Sequence, residues 1–418
     1  MNHQIESEVR SYCRSYTTVF ERAAGAHMYS LQGAEYLDFL SGCGALNYGH
    51  NNPVLQDALL GYIQSGGIAM SMDMHTRSKS QFIDAFDSLI LRPREMNYRL
   101  QFTGPTGANA VEAAIKLARK ITGRTNVIAF TNGFHGCTLG ALALTGNSHH
   151  RAASASLLSQ VSRFPYDGYL GAGTDTCELL QKMLEDPSSG CDKPAAIILE
   201  TVQGEGGLNH ASAPWIRKLA TVAKRNDILV IIDDIQAGCG RSGTFFSFEH
   251  MGIEPDMITM AKALSGFGLP MSMVLIKPEL DHWLPGEHNG TFRGNNFAFV
   301  TARVALEHYW ADDTFAQRLN SKIEMLHSEL STLAHRYGFH TKGRGFMQGI
   351  DLRDGALAEA VRARCFAAGL IIETCGPKGE VLKLLPPLTI SEADMLDGIG
   401  RIEAALQATL SQPILANA

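Results

Sequence analysis

The sequence predicts an α/β protein: a mostly parallel sheet covered by helices on both faces, with a smaller α+β unit beside it. Three observations point that way. Short runs that are apolar at every position recur through the middle of the chain, the pattern of strands buried on both faces. Amphipathic helical patterns alternate with them. Glycine is over-represented, 41 residues of 418, against an average of about 7%. The glycines gather at 104–107, 204–207, 238–243, 266–268 and 286–294, between periodic segments, where ligand-binding loops sit on a rigid scaffold.

Taken in order, the first 60 residues hold a hairpin-like piece, AHMYSLQGAEYLDFL. Strands are expected at 126–130 (NVIAF), 195–200 (AAIILE), 228–233 (ILVIID), 257–260 and 271–276. Helical periodicity covers 110–121 and 214–226, the second with Pro214 in its first turn. From residue 314 the character changes to a long helix to about His335, a strand at 345–352, another helix, VLKLLPPLTI and a last helix from Ser391. The expected division is a large unit at 61–313, with 1–60 and 314–418 forming the smaller one.

Composition narrows the function. There are 36 Lys plus Arg against 42 Asp plus Glu, a net charge of -6. This lacks the basic footprint of a nucleic-acid binder or of a membrane-surface protein. No apolar stretch approaches the roughly 18 residues of a spanning helix, and MNHQIESEVR has no signal-peptide core. A cytoplasmic protein is expected. The eight cysteines form no CxxC and the 15 histidines no HExxH, so neither a disulfide framework nor a metal site is expected.

Four places carry chemistry. Gly238-Cys-Gly-Arg-Ser-Gly243 matches GxGxxG literally, but it does not leave a strand directly and no helical periodicity follows, so it does not read as a dinucleotide fingerprint. What remains there is Asp233, at the carboxyl end of a strand, where open α/β sheets bind ligands. Thr106-Gly107-Ala108 runs into AVEAAIKLARKI; such a loop aims backbone N–H groups and a helix dipole at a phosphate, although a simply capped helix has the same pattern. Lys262, after an apolar strand and before a glycine turn, sits where poor solvation favours a neutral, nucleophilic amine, although a snorkelling surface lysine fits too. A phosphate cradle, a strand-end carboxylate and a desolvated lysine together are the protein's three anchors for pyridoxal 5′-phosphate (PLP). The lysine forms a Schiff base and the acid keeps the ring nitrogen protonated.

The chain also resembles the class III aminotransferases of fold type I. The resemblance rests on LNYGHNNP (46–53), FTGPTGANAVEAAIKLAR (102–119), TNGFHGCTLGAL (131–142), ETVQGEGG (200–207), DDIQAGCGRSG (233–243), AKALSGFGLP (261–270) and HNGTFRGNN (288–296). It implies a seven-stranded, mostly parallel sheet, a PLP cofactor, amino-acid and 2-oxo-acid substrates, and a homodimer with shared active sites, with a tetramer of such dimers as the alternative. Lys262 is then the cofactor lysine and proton shuttle, and Asp233 the partner of the pyridinium nitrogen. Gln236 lies beside the ring hydroxyl and Phe134 stacks on the ring, with His135 next to it. Thr106, Gly107 and Ala108 hold the phosphate, and Thr291 reaches it from the neighbouring subunit. Glu205 matches a glutamate that pairs, in relatives, with an arginine which grips the 2-oxo acid; the aligned residue here is Lys383, which offers a point charge and no bidentate fork. Cys43 replaces an aromatic of the ornithine-type relatives with a small side chain. Several segments look most like members that exchange an amino group between 2,4-diaminobutyrate and 2-oxoglutarate. Relatives acting on ornithine, γ-aminobutyrate or putrescine, and aminomutases or decarboxylases of the same fold, are the alternatives.

Overall fold

The computed structural model describes residues 5–171 and 173–411. Its centre is a seven-stranded sheet of β1 (Arg99–Gly104), β2 (Val127–Phe130), β3 (Val161–Phe164), β4 (Ala196–Leu199), β5 (Leu229–Asp233), β6 (Met257–Met260) and β7 (Ser272–Ile276). The spatial order is β1-β7-β6-β5-β4-β2-β3. All neighbours are parallel except at β7, which runs antiparallel to both β6 and β1. The mostly parallel α/β architecture is therefore as expected. Strands β2, β4, β6 and β7 are buried at every position, which is why their sequences are apolar apart from Thr259 and Ser272.

Helices cover the sheet. In α1 (Gly107–Thr122), Ala110, Val111, Ala114, Ile115, Leu117 and Ala118 are buried, and the helix stops at Gly123 in the left-handed conformation. Ser212 caps α2 (Ala213–Arg225) by accepting the Trp215 N–H, with Pro214 in the first turn. The helix Pro53–Gln64 packs on α3 (Asn296–Tyr309), where Leu55 meets Ala305.

A second core forms around α4 (Thr314–Arg336), α5 (Gly355–Ala367) and α6 (Glu392–Leu410). They pack on an antiparallel sheet of β8 (His340–Arg344), β9 (Met347–Asp351), β10 (Glu373–Cys375) and β11 (Val381–Leu384), ordered β8-β9-β11-β10. Leu37 and Phe39, from the N-terminal hairpin His27–Ser30/Glu35–Asp38, join this core, and Leu370–Ile371 extends the hairpin's sheet. Arg241 connects the two halves: fully buried, it donates to the carbonyls of Phe346 and Pro386 and to Asn47 Oδ1.

Candidate active site

The carboxyl ends of β1, β2, β4, β5 and β6 lie on one edge of the sheet, because these strands all run the same way. Their loops enclose a cavity of about 440 Å³. Thr106, Gly107, Ala108, Phe134, His135, Glu205, Asp233, Gln236 and Lys262 all line it. Nine of the twelve residues singled out from sequence are thus brought together.

Asp233 ends β5 and is only 4% exposed. Its Oδ2 meets His135 Nδ1 at 2.7 Å, while Oδ1 accepts from the Thr259 hydroxyl at 3.2 Å and the Ile235 N–H at 3.3 Å. Burial opposes charge on His135, but the hydrogen bond and the charge of Asp233, with Glu200 behind, outweigh it and raise the imidazole above its ordinary value. The His135 contact thereby fixes the Asp233 carboxyl in place.

Lys262 follows β6 and is half-buried, with a left-handed backbone, φ 50°. Such a conformation in a side-chain-bearing residue costs about 1–3 kcal/mol and recurs at functional sites. Its Nζ donates to the Cys43 carbonyl at 3.0 Å. That carbonyl also accepts from Gln236 Nε2 at 3.1 Å, and the same nitrogen lies 3.3 Å from Glu205 Oε1. Gln236 Oε1 is buried and makes no hydrogen bond.

At the far wall, Gly107 and Ala108 open α1, so their N–H groups have no intrahelical acceptor. Thr106 is tied to Asn109 Oδ1 through its N–H (3.2 Å) and hydroxyl (3.0 Å). Gly107 is required for packing: a Cβ there would meet Ile235 Cδ1 at 2.8 Å. These features fit PLP. A helix N-terminus with free donors suits its phosphate, a fixed carboxylate suits its protonated ring nitrogen, and a primary amine suits its aldehyde.

Three expected residues fall outside the lining. Thr291 is exposed at the start of a short 3-10 turn and does not face this cavity within its own chain. Cys43 contributes its carbonyl; its thiol turns away to the Tyr12 hydroxyl at 2.7 Å. Lys383 is wholly buried behind Glu205, to which it donates at 2.8 Å.

The structure adds Glu200, which the sequence reading passed over although it opens ETVQGEGG. It is 7% exposed and accepts the N–H groups of Phe134 (2.9 Å) and Gly204 (3.2 Å), joining two walls of the cavity. Burial pushes its carboxyl up to about 7. Glu373 is the other addition, 2.9 Å from the Lys383 ammonium. No local sequence pattern marks it; the strand register that sets it against Lys383 does.

Fold and site together define a PLP-dependent transferase. Solved structures share the architecture: an ornithine aminotransferase from Toxoplasma gondii, with PLP at partial occupancy in its active site, aligns at TM-score 0.81 and 23% identity over 98% of this chain and 93% of that one. A Bacillus anthracis aminotransferase aligns at TM-score 0.85 and 23% identity over 97% and 96%. The model of the family "Aminotransferase class-III" matches residues 11–406, and the chain belongs to that family. It is similar to the diaminobutyrate–2-oxoglutarate transaminase of Vibrio cholerae, 58% identical over 96% of this chain and 98% of the relative. The enzyme of the same name from Halomonas elongata is 50% identical over 98% of each. Among the described residues no helix is long and apolar enough to cross a membrane.

Proposed function

We propose that this PLP-dependent aminotransferase moves an amino group between glutamate and L-aspartate 4-semialdehyde, forming 2-oxoglutarate and L-2,4-diaminobutyrate. The observation that carries the chemistry is the convergence of Lys262, the Asp233–His135 pair and the start of α1 on one cavity. The substrate assignment is supported by relatives of that name at 50–58% identity over nearly the whole chain.

When bound, PLP supplies an aldehyde that condenses with amines and a protonated ring that draws electrons from the adjacent carbon. Lys262 Nζ would hold the cofactor's aldehyde carbon, and as a free amine it would move a proton at the substrate carbon. Asp233 would hold the ring N–H, and His135 keeps Asp233 aligned. Gly107 and Ala108 donate N–H groups to the phosphate at the positive end of α1, with Thr106 beside them. Phe134 covers a ring face, and the Gln236 amide sits beside the ring hydroxyl. Thr291 completes the phosphate site of a second copy, making the enzyme a cytoplasmic homodimer; its exposure supports this assignment. Residues 61–313 form the cofactor-binding unit and 1–60 group with 314–418; the packing of Leu37 and Phe39 with α4–α6 supports this for the N-terminal hairpin, whereas the helix Pro53–Gln64 packs on α3 of the cofactor-binding unit.

The test is a panel of amines with 2-oxoglutarate as acceptor: 2,4-diaminobutyrate, ornithine, γ-aminobutyrate and putrescine. The highest kcat/KM is expected for 2,4-diaminobutyrate; a preference for any of the others overturns the substrate assignment. Lys262→Ala is expected to lose the visible absorbance of lysine-bound cofactor.

A further inference from the structure

Behind the Glu205 wall lies a buried ionic cluster that the scheme above leaves idle. Lys383 on β11 stands opposite Glu373 on β10. Its ammonium is 2.8 Å from Glu205 Oε1 and 2.9 Å from Glu373 Oε1. Glu373 Oε1 is out of line for a hydrogen bond, and Oε2 accepts from the Tyr12 hydroxyl at 3.3 Å. Two carboxylates thus share one enclosed ammonium, and the cluster is one positive charge short. The other cation acting on both acids, Lys262, is the amine committed to the cofactor.

The two acids meet this shortage differently. Burial opposes charge on Glu205, but Lys383 and Lys262 outweigh it and hold the carboxyl below its ordinary value. Burial raises Glu373 above its ordinary value, with Lys383 only partly offsetting it. Of the two, Glu205 is the acid that faces the cavity. Beside it Gln236 turns its Nε2 to Glu205 and the Cys43 carbonyl, while its Oε1 is buried against Gly204. The Glu205 carboxylate is thus the acceptor on this wall that a cation can reach.

We propose that Glu205 forms a subsite for a second ammonium group on the substrate, and that Glu373 is a positioning residue for it. Glu373 engages Lys383 from behind, so that Lys383 does not cancel Glu205. The subsite separates α,ω-diamino acids from ω-amino acids that lack the second cation. This deepens the diaminobutyrate assignment and rests on it. The matched probes are 2,4-diaminobutyrate and 4-aminobutyrate, which differ only in the α-ammonium.

The experiment is steady-state kinetics of the holoenzyme with 2-oxoglutarate saturating, with 4-aminobutyrate measured as substrate or as competitive inhibitor. Glu373→Gln keeps the shape but cannot ionise. It is expected to raise KM for 2,4-diaminobutyrate about tenfold, leave kcat within about twofold, and leave the constant for 4-aminobutyrate unmoved. Glu373→Asp is expected to recover part of the loss. Should Glu373→Gln not fold, Tyr12→Phe, which removes the donor to Glu373 together with the contact to the Cys43 thiol, is expected to show the same selective rise in smaller measure. Constants for both probes rising together, or neither moving, overturns the proposal. Wild-type enzyme that does not turn over 2,4-diaminobutyrate instead sinks the substrate assignment, and the subsite with it.

Discussion

Glu200 offers a prediction whose sign changes with pH. Its carboxyl is pushed up to about 7 in the folded protein, chiefly by burial, and titrates near its ordinary 4.5 in the unfolded chain. A raised acid stabilises the fold while the folded form alone keeps its proton. That contribution is complete below about 4.5 and is lost as pH rises through about 7. The loss over this window is about 3 kcal/mol. Glu200→Gln cannot ionise and escapes it. The substitution carries its own cost, because a carboxyl presents two oxygens to the Phe134 and Gly204 N–H groups and an amide presents one. One buried donor left unmatched costs about 1–3 kcal/mol. The variant is therefore expected to be less stable than wild type at pH 5 and equal or better at pH 8.5. Thermal midpoints of the holoenzymes at both pH values measure this. Asp234, also pushed up to about 7 by burial, is present in both proteins and drops out of the difference. A gap between the midpoints that is the same at both pH values, or wider at pH 8.5, refutes the reasoning.

Two further perturbations test the frame around the site. Asp233→Asn removes the partner that raises His135, so the imidazole should titrate lower by NMR, and turnover should fall by about 10²–10⁴. Arg241→Met leaves the Phe346 and Pro386 carbonyls and Asn47 Oδ1 without their donor. At about 1 kcal/mol per lost hydrogen bond, it should lower stability by roughly 3 kcal/mol in a denaturant titration while leaving the cofactor's absorbance in place.

What could be read from the sequence divides along a physical line. The strands recognised at 126–130, 195–200, 228–233, 257–260 and 271–276 all lie inside the sheet, where both faces are covered and most positions are apolar. The two that gave no signal, Arg99–Gly104 and Val161–Phe164, are its edges. There the burial is partial and the sequences, RLQFTG and VSRF, are mixed. The site follows the same rule. Lys262, Asp233 and the 106–108 turn are tied to strand ends and a helix start, features that a local pattern announces. Glu200, by contrast, has a role only because the loops after β2 and β4 both turn over it. Glu373 acquires one only from the register that sets it against Lys383. Both are acids whose meaning lies in what burial does to their charge, and burial is a property of the assembled fold. That is also why Lys383, conspicuous in the sequence as a cation where an arginine was expected, could not be interpreted there: a lysine facing one carboxylate is neutralised, whereas a lysine held between two leaves one of them free to act.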